Sequence, residues 1–123
     1  MNKVLLDTNF ILNAIQCKID FFEDIASLGF MILIPTAVIG ELKRITNSKK
    51  KLHFRQDAEL ALKLIEHNNF EEIKSKTTYA DKEIVKFLKE NSDVVLATMD
   101  KELKKKVNNS IMVIRAKKKI EVI

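Results

Sequence analysis

Hydrophobic residues along the chain fall into short unbroken runs separated by stretches of helical periodicity. "KVLLD" (3–7) reads as a buried strand, "FMILIP" (30–35) as a second and "DVVLATM" (93–99) as a third. "SIMVIRA" (110–116) predicts another, with "FEEIKS" (70–75) a short strand and "KIEVI" (119–123) a final edge strand. Between them the apolar spacing turns helical in "NFILNAIQ" (9–16), "FFEDIASL" (21–28), "TAVIGELKRI" (36–45) and "FRQDAELALKLIEHN" (54–68). "YADKEIVKFLKEN" (79–91) is a strongly amphipathic helix and "DKELKKKV" (100–107) a short basic one. Thr36 is the expected cap of its helix. Strands that are apolar throughout, alternating with helices, predict an α/β sandwich on a mostly parallel sheet. Ligands of such sheets bind beyond the carboxyl ends of the strands.

That rule draws attention to Asp7, which ends the first apolar run, and to Asp100, which ends "VVLATMD" in the same way. In parallel central strands the two share one edge of the sheet. Asp is also a favoured helix cap, so each has a purely structural alternative. Glu41 lies three residues after Val38 and four before Ile45, on the inward stripe of its helix. An acid there is costly unless a cation, or an ion pair with Arg44, compensates it. Asp81 precedes Ile84, Val85 and Leu88 by helical spacings, placing it on the apolar face. Its alternative is a capping box with Thr78 as the cap. Four carboxylates brought together repel one another unless a divalent cation such as Mg²⁺ or Mn²⁺, which prefers oxygen ligands, sits among them.

Composition sharpens this picture. The 123 residues suit one domain, 1–123, without internal repeat or linker, and a 46% hydrophobic content supplies a core. "TNSKKK" (46–51) separates two helices rather than two domains. A single cysteine, Cys17, excludes an intrachain disulfide, suits a reducing cytoplasm and is expected to be a small buried apolar residue. No apolar run has the length of a membrane span, and Asp7 interrupts the only early one, so a secretory leader is not expected. The formal net charge of +5 favours an anionic partner, with nucleic acid the natural one. An acidic metal site within a basic protein suits a nuclease, the acids holding metal and the lysines holding phosphates.

Four segments carry a family resemblance: "LLDTNFIL", "IPTAVIGEL", "ADKEIVKFL" and "VLATMDKEL", in order and spread over nearly the whole chain. Together they resemble the PIN domain, the metal-dependent ribonuclease domain of VapC-type toxins and of rRNA-processing endonucleases. The resemblance implies a three-layer α/β/α fold with a parallel sheet of about five strands. It also implies that Asp7, Glu41, Asp81 and Asp100 form an acidic quartet around Mg²⁺ or Mn²⁺, supported by Thr8, Asn9 and Thr98. RNA is the implied substrate, with an antitoxin, a ribosomal precursor or a second copy of the chain as partners. The ending "ATMDKEL…IMVIRAKKK" resembles short archaeal single-domain members.

Among the basic residues, Lys43, Arg44, Lys49, Lys50, Lys51 and Arg55 follow or adjoin the Glu41 helix and are the expected phosphate contacts. The clusters Lys104–Lys106 and Lys117–Lys119 read equally as solvated surface. His53 and His67 are expected on the surface, Tyr79 and the phenylalanines in the core. Helix 54–68, with Ala58, Ala61, Leu62 and Ile65 in register, either packs on the domain or forms a dimer face. The expected activity is a metal-dependent endoribonuclease that hydrolyses RNA with an activated water. The alternative is a non-catalytic RNA-binding or scaffolding module. A receiver domain would need an acidic pair before its phosphorylated Asp. A haloacid-dehalogenase-like phosphatase would need a second Asp where Asn9 stands.

Overall fold

A computed structural model describes residues 2–123. Six strands, β1 (Asn2–Leu6), β2 (Phe30–Pro35), β3 (Glu71–Ile73), β4 (Val95–Ala97), β5 (Ile111–Arg115) and β6 (Lys119–Val122), form one sheet in the order β3-β2-β1-β4-β5-β6. The first five are parallel and β6 pairs antiparallel with β5, so the parallel sheet has the expected five strands plus the edge strand read at 119–123. Helices α1 (Thr8–Gln16), α2 (Phe21–Ser27), α3 (Thr36–Thr46), α4 (Leu52–Glu66), α5 (Ala80–Glu90) and α6 (Lys101–Lys105) flank it, giving the three-layer α/β/α sandwich. None of them is long and apolar enough to cross a membrane.

The core follows from the apolar runs. Val4, Leu5 and Leu6 of β1 and Leu96 and Ala97 of β4 are almost wholly removed from water, as central strands covered on both faces require. Phe10, Ile11 and Ala14 of α1, Ile84 and Leu88 of α5, and Leu42 of α3 close over them. Helix α4 packs on α1 and α3 through Ala58, Ala61 and Ile65, while Leu52 and Leu60 remain exposed. Helix α2 ends at Gly29, whose positive φ of 86° gives the left-handed turn that an L side chain resists.

Several sequence expectations shift locally. Thr36 does not cap α3; Pro35 occupies that position in extended conformation. The Thr36 hydroxyl instead donates to the Ile73 carbonyl and accepts the Ser75 N–H, both at 2.9 Å, tying α3 to the end of β3. Cys17 is half-buried at the end of α1, packed against the core rather than inside it. Tyr79 is not a core residue, being 66% exposed, and Phe54 is also exposed. His53 and His67 lie on the surface as expected.

Candidate functional site

Chain order reverses direction in the sheet at β1: the chain steps outward to β2 and β3, then returns to the other side of β1 with β4 and β5. The crevice at such a switch point, at the carboxyl ends of the strands, is where doubly wound sheets bind ligands. Asp7 and Thr98 stand there. The β1–β4 register pairs Leu5 with Leu96 and Leu6 with Ala97, so Asp7 and Thr98 come next. The Asp7 N–H closes the pair on the Ala97 carbonyl at 3.2 Å.

Asp7 is 4% exposed and uses both carboxylate oxygens. Oδ1 accepts the Phe10 N–H at 2.7 Å and caps α1; Oδ2 accepts the Thr98 hydroxyl at 2.5 Å. Burial pushes its pKa up to about 6, against the pull of those two hydrogen bonds, and the nearby Asp81 and Asp100 carboxylates push it further in the same direction. Asp100 caps α6 through Oδ1, accepting the N–H groups of Glu102 at 2.9 Å and Leu103 at 3.4 Å. Both strand-end acids are therefore helix caps; Asp100 also lines a cavity at the switch point, whereas the buried Asp7 lies behind it and lines neither of the cavities there. A carboxylate has about four acceptor sites, so one or two cap hydrogen bonds leave room for a further partner.

Glu41, Asp81 and Asp100 line one cavity of about 530 Å³ with Asn9, Arg44, Thr78, Tyr79 and Ala80. Glu41 is half-buried and forms no ion pair among the described residues, Arg44 included. Asp81 stands on the helical face of Ile84 and Leu88, as its spacing requires, but in the first turn of α5 that face is uncovered and Asp81 is exposed. No capping box forms with Thr78. The cap position is Tyr79, and Glu83 Oε1 instead accepts the N–H groups of Lys76 and Thr77. Thr8, Asn9, Glu41 and Lys50 line an adjoining cavity. The buried Thr8 Oγ1 has no hydrogen-bond partner among the described residues.

Of the expected phosphate contacts, Arg44 and Lys50 line these cavities. Arg55 spends its Nε on the Lys50 carbonyl at 3.1 Å, holding the α3–α4 loop. Lys43, Lys49 and Lys51 are exposed and line neither cavity.

Among the described residues, no three His, Cys, Asp or Glu side chains converge closely enough to enclose an ion between them. The reason is local: Asp7 and Asp100 turn toward helix caps, while Glu41 and Asp81 project from different helices across the cavity. The donor set is nonetheless all oxygen, with a buried carboxylate whose two hydrogen bonds do not offset its burial, and the orphaned hydroxyl of the next residue, Thr8. That set fits a hard cation that keeps several waters and touches only one or two carboxylates directly.

An α/β/α sandwich with carboxylates spread around its switch point is the class of α/β protein that the fold and site define. A PIN-like domain model matches residues 4–119, so the chain belongs to the PIN-like domain family. The chain is 34% identical to ribonuclease VapC4 of Methanocaldococcus jannaschii over 99% of its own length and 97% of that protein's. It is 32% identical to the rRNA-processing protein fcf1 of Schizosaccharomyces pombe over 85% of its own length, and spans about half, 52%, of that protein. Among solved structures, the PIN domain endonuclease Utp24 superposes with a TM-score of 0.79 at 29% identity, covering 98% of this chain and 90% of that one. VapBC2 from Rickettsia felis, solved with a DNA fragment from its promoter, shares the fold alone, with a TM-score of 0.53 at 19% identity over 90% of this chain and 98% of that one.

Proposed function

We propose that the chain, folded as one PIN-like domain over residues 1–123, is a Mg²⁺- or Mn²⁺-dependent endoribonuclease. The observation that carries this reading is the buried Asp7 at the switch point, its pKa lifted to about 6 and the acids Asp81 and Asp100 close by. Groups with strongly perturbed ionisation in a crevice mark functional sites. Support also comes from the names of the relatives, a ribonuclease and an rRNA-processing protein.

In this reading Asp7, Glu41, Asp81 and Asp100 hold the cation directly or through its waters, and Thr8 and Asn9 bind ligand water from the side. A divalent ion bound there supplies an activated water and neutralises charge developing on the phosphodiester. Thr98 fixes the Asp7 carboxylate. Arg44, on the cavity wall, binds a phosphate of the RNA. Lys50 serves the same role from the adjoining cavity.

Cleavage of a panel of single-stranded RNAs with Mn²⁺, Mg²⁺ or EDTA, wild type beside Asp7→Asn, tests the reading. Metal-dependent cutting absent from the variant is the expected result. The wide spacing of the acids favours a second reading, a non-catalytic RNA-binding module. RNA binding with neither cutting nor metal binding would establish that one instead. Two biological settings fit a nuclease of this kind. A toxin halts growth when expressed without an antitoxin; a processing enzyme copurifies with rRNA precursors.

A further inference from the structure

We propose that a groove along α5 is the path by which a single strand of RNA enters the acidic cavity, and that Tyr79 stacks a base where the two meet. The groove, of about 410 Å³, is lined by Asp81, Lys82, Val85, Lys86, Lys89 and Lys106. Asp81 also lines the acidic cavity, so the two spaces share a wall.

Lys82, Lys86 and Lys89 follow one another by four and three residues and so stand on one face of α5. Lys106, at the end of α6, faces them from across the groove. None of the four makes an ion pair among the described residues, although neighbouring Lys105 pairs with Glu102. The acids of α5 form no ion pair with them. Glu83 and Glu90 line a separate cavity that Lys86 also borders, Glu83 there accepting the Lys76 and Thr77 N–H groups. Within the groove, four lysines therefore meet one carboxylate, Asp81. Like charges at this spacing repel, and the anion that relieves the repulsion here is a phosphate chain. From Lys82 to Lys89 the helix rises about 10 Å, enough for a short stretch of backbone.

Val85 gives the groove an apolar floor between the cations. Tyr79, 66% exposed on the rim of the acidic cavity, presents an aromatic face, with Lys82 Nζ 5.4 Å from the ring centroid. A positive groove with an aromatic platform is the general means of holding unpaired strands, whose bases are free to stack. Duplex RNA offers no such base.

The proposal draws only its choice of nucleic acid from the nuclease reading. Its test measures binding in EDTA, apart from cleavage. Anisotropy of a short unstructured RNA is followed from about 50 to 200 mM salt for wild type and Lys86→Gln/Lys89→Gln. The control is Lys18→Gln/Lys63→Gln, just past α1 and in the last turn of α4. Single-strand binding loses about 0.7 of log K per log salt for each phosphate contact removed, so the groove variant should lose about 1.4 of slope and the control none. Tyr79→Ala should weaken binding about tenfold and Tyr79→Phe little. Equal losses in groove variant and control, or none in either, would overturn the proposal. So would RNA binding left intact while an oligoglutamate peptide loses its binding, which would assign the groove to an acidic protein. Groove-dependent binding without metal-dependent cutting would instead overturn the nuclease reading alone.

Discussion

Thr98 and Asp7, 91 positions apart, are joined by a hydroxyl-to-carboxylate hydrogen bond of 2.5 Å in the middle of the sheet edge. The same hydroxyl accepts the Asp100 N–H at 3.0 Å, so one fully buried side chain sets the position of both strand-end acids. Thr98→Val keeps the shape and removes the link. A hydrogen bond to a charged group contributes about 1.5–3 kcal/mol, so the urea midpoint should fall accordingly, while Thr98→Ser should stay near wild type. Groups that orient metal ligands typically matter 10–100-fold, so RNA cleavage by Thr98→Val should drop by about that factor beyond any unfolding. Cleavage left at the wild-type rate by folded Thr98→Val would make the link structural only.

The Asp7 carboxyl titrates at about 6 in the folded chain against 3.8 as its ordinary value. A raised folded pKa means that the native state binds the proton more tightly. The associated stability is present below about pH 4 and lost as pH rises through 6. At 1.36 kcal/mol per pH unit the whole loss is about 3 kcal/mol. Metal-free wild type should therefore melt progressively lower between pH 4 and 6.5, relative to Asp7→Asn, which stays neutral. Added Mg²⁺ or Mn²⁺ should restore wild type at neutral pH and leave Asp7→Asn unchanged. Parallel melting curves for the two proteins in EDTA would show that Asp7 ionises freely.

Two substitutions separate the cap that Asp100 provides from the metal role proposed for it. Asn keeps an acceptor for the Glu102 and Leu103 N–H groups; Ala does not. Asp100→Ala should lose about 1 kcal/mol of stability and Asp100→Asn a few tenths. RNA cleavage should vanish in both, since the charge is gone from both. Activity that tracks stability across the pair would leave Asp100 with capping alone.

The element pattern was legible because each apolar run is long enough to span a covered sheet, and a parallel register then brings strand-end acids to one edge. Periodicity could not choose between cap and ligand for Asp7 and Asp100, because both demand the same residue in the same place. Nor could it place Asp81 and Tyr79. Helical spacing assigns Asp81 a face but does not tell whether the first turn is covered, and here Tyr79 is the cap residue and both residues are left exposed. Lys82, Lys86 and Lys89 carried a visible signal, a three-lysine stripe, but such stripes usually face water. Only Lys106, brought alongside by a separate helix, makes a groove of it. Asn109 gave no signal at all, yet its Nδ2 donates to the carbonyls of Leu88, Asn91 and Val94, fastening the end of α5 to the start of β4.

Helix α5 permits a clean comparison between an acid that folds the chain and one proposed to serve the site. Glu83 gathers the N–H groups of Lys76 and Thr77 at 3.2 and 3.1 Å, ordering the loop that leads into the cavity. Asp81, two residues earlier, is exposed, and the cap hydrogen bond that a box with Thr78 would supply is missing. Asp81→Asn should therefore change stability by less than about 0.5 kcal/mol, as surface substitutions do, and yet abolish metal-dependent cleavage. Glu83→Ala should cost about 1–3 kcal/mol, because both loop donors lose a charged acceptor. Its cleavage should recover when low temperature or excess metal orders the loop. If Asp81→Asn melted early and still cut RNA, its carboxylate would belong to the fold, and the metal would rest on Asp7, Glu41 and Asp100.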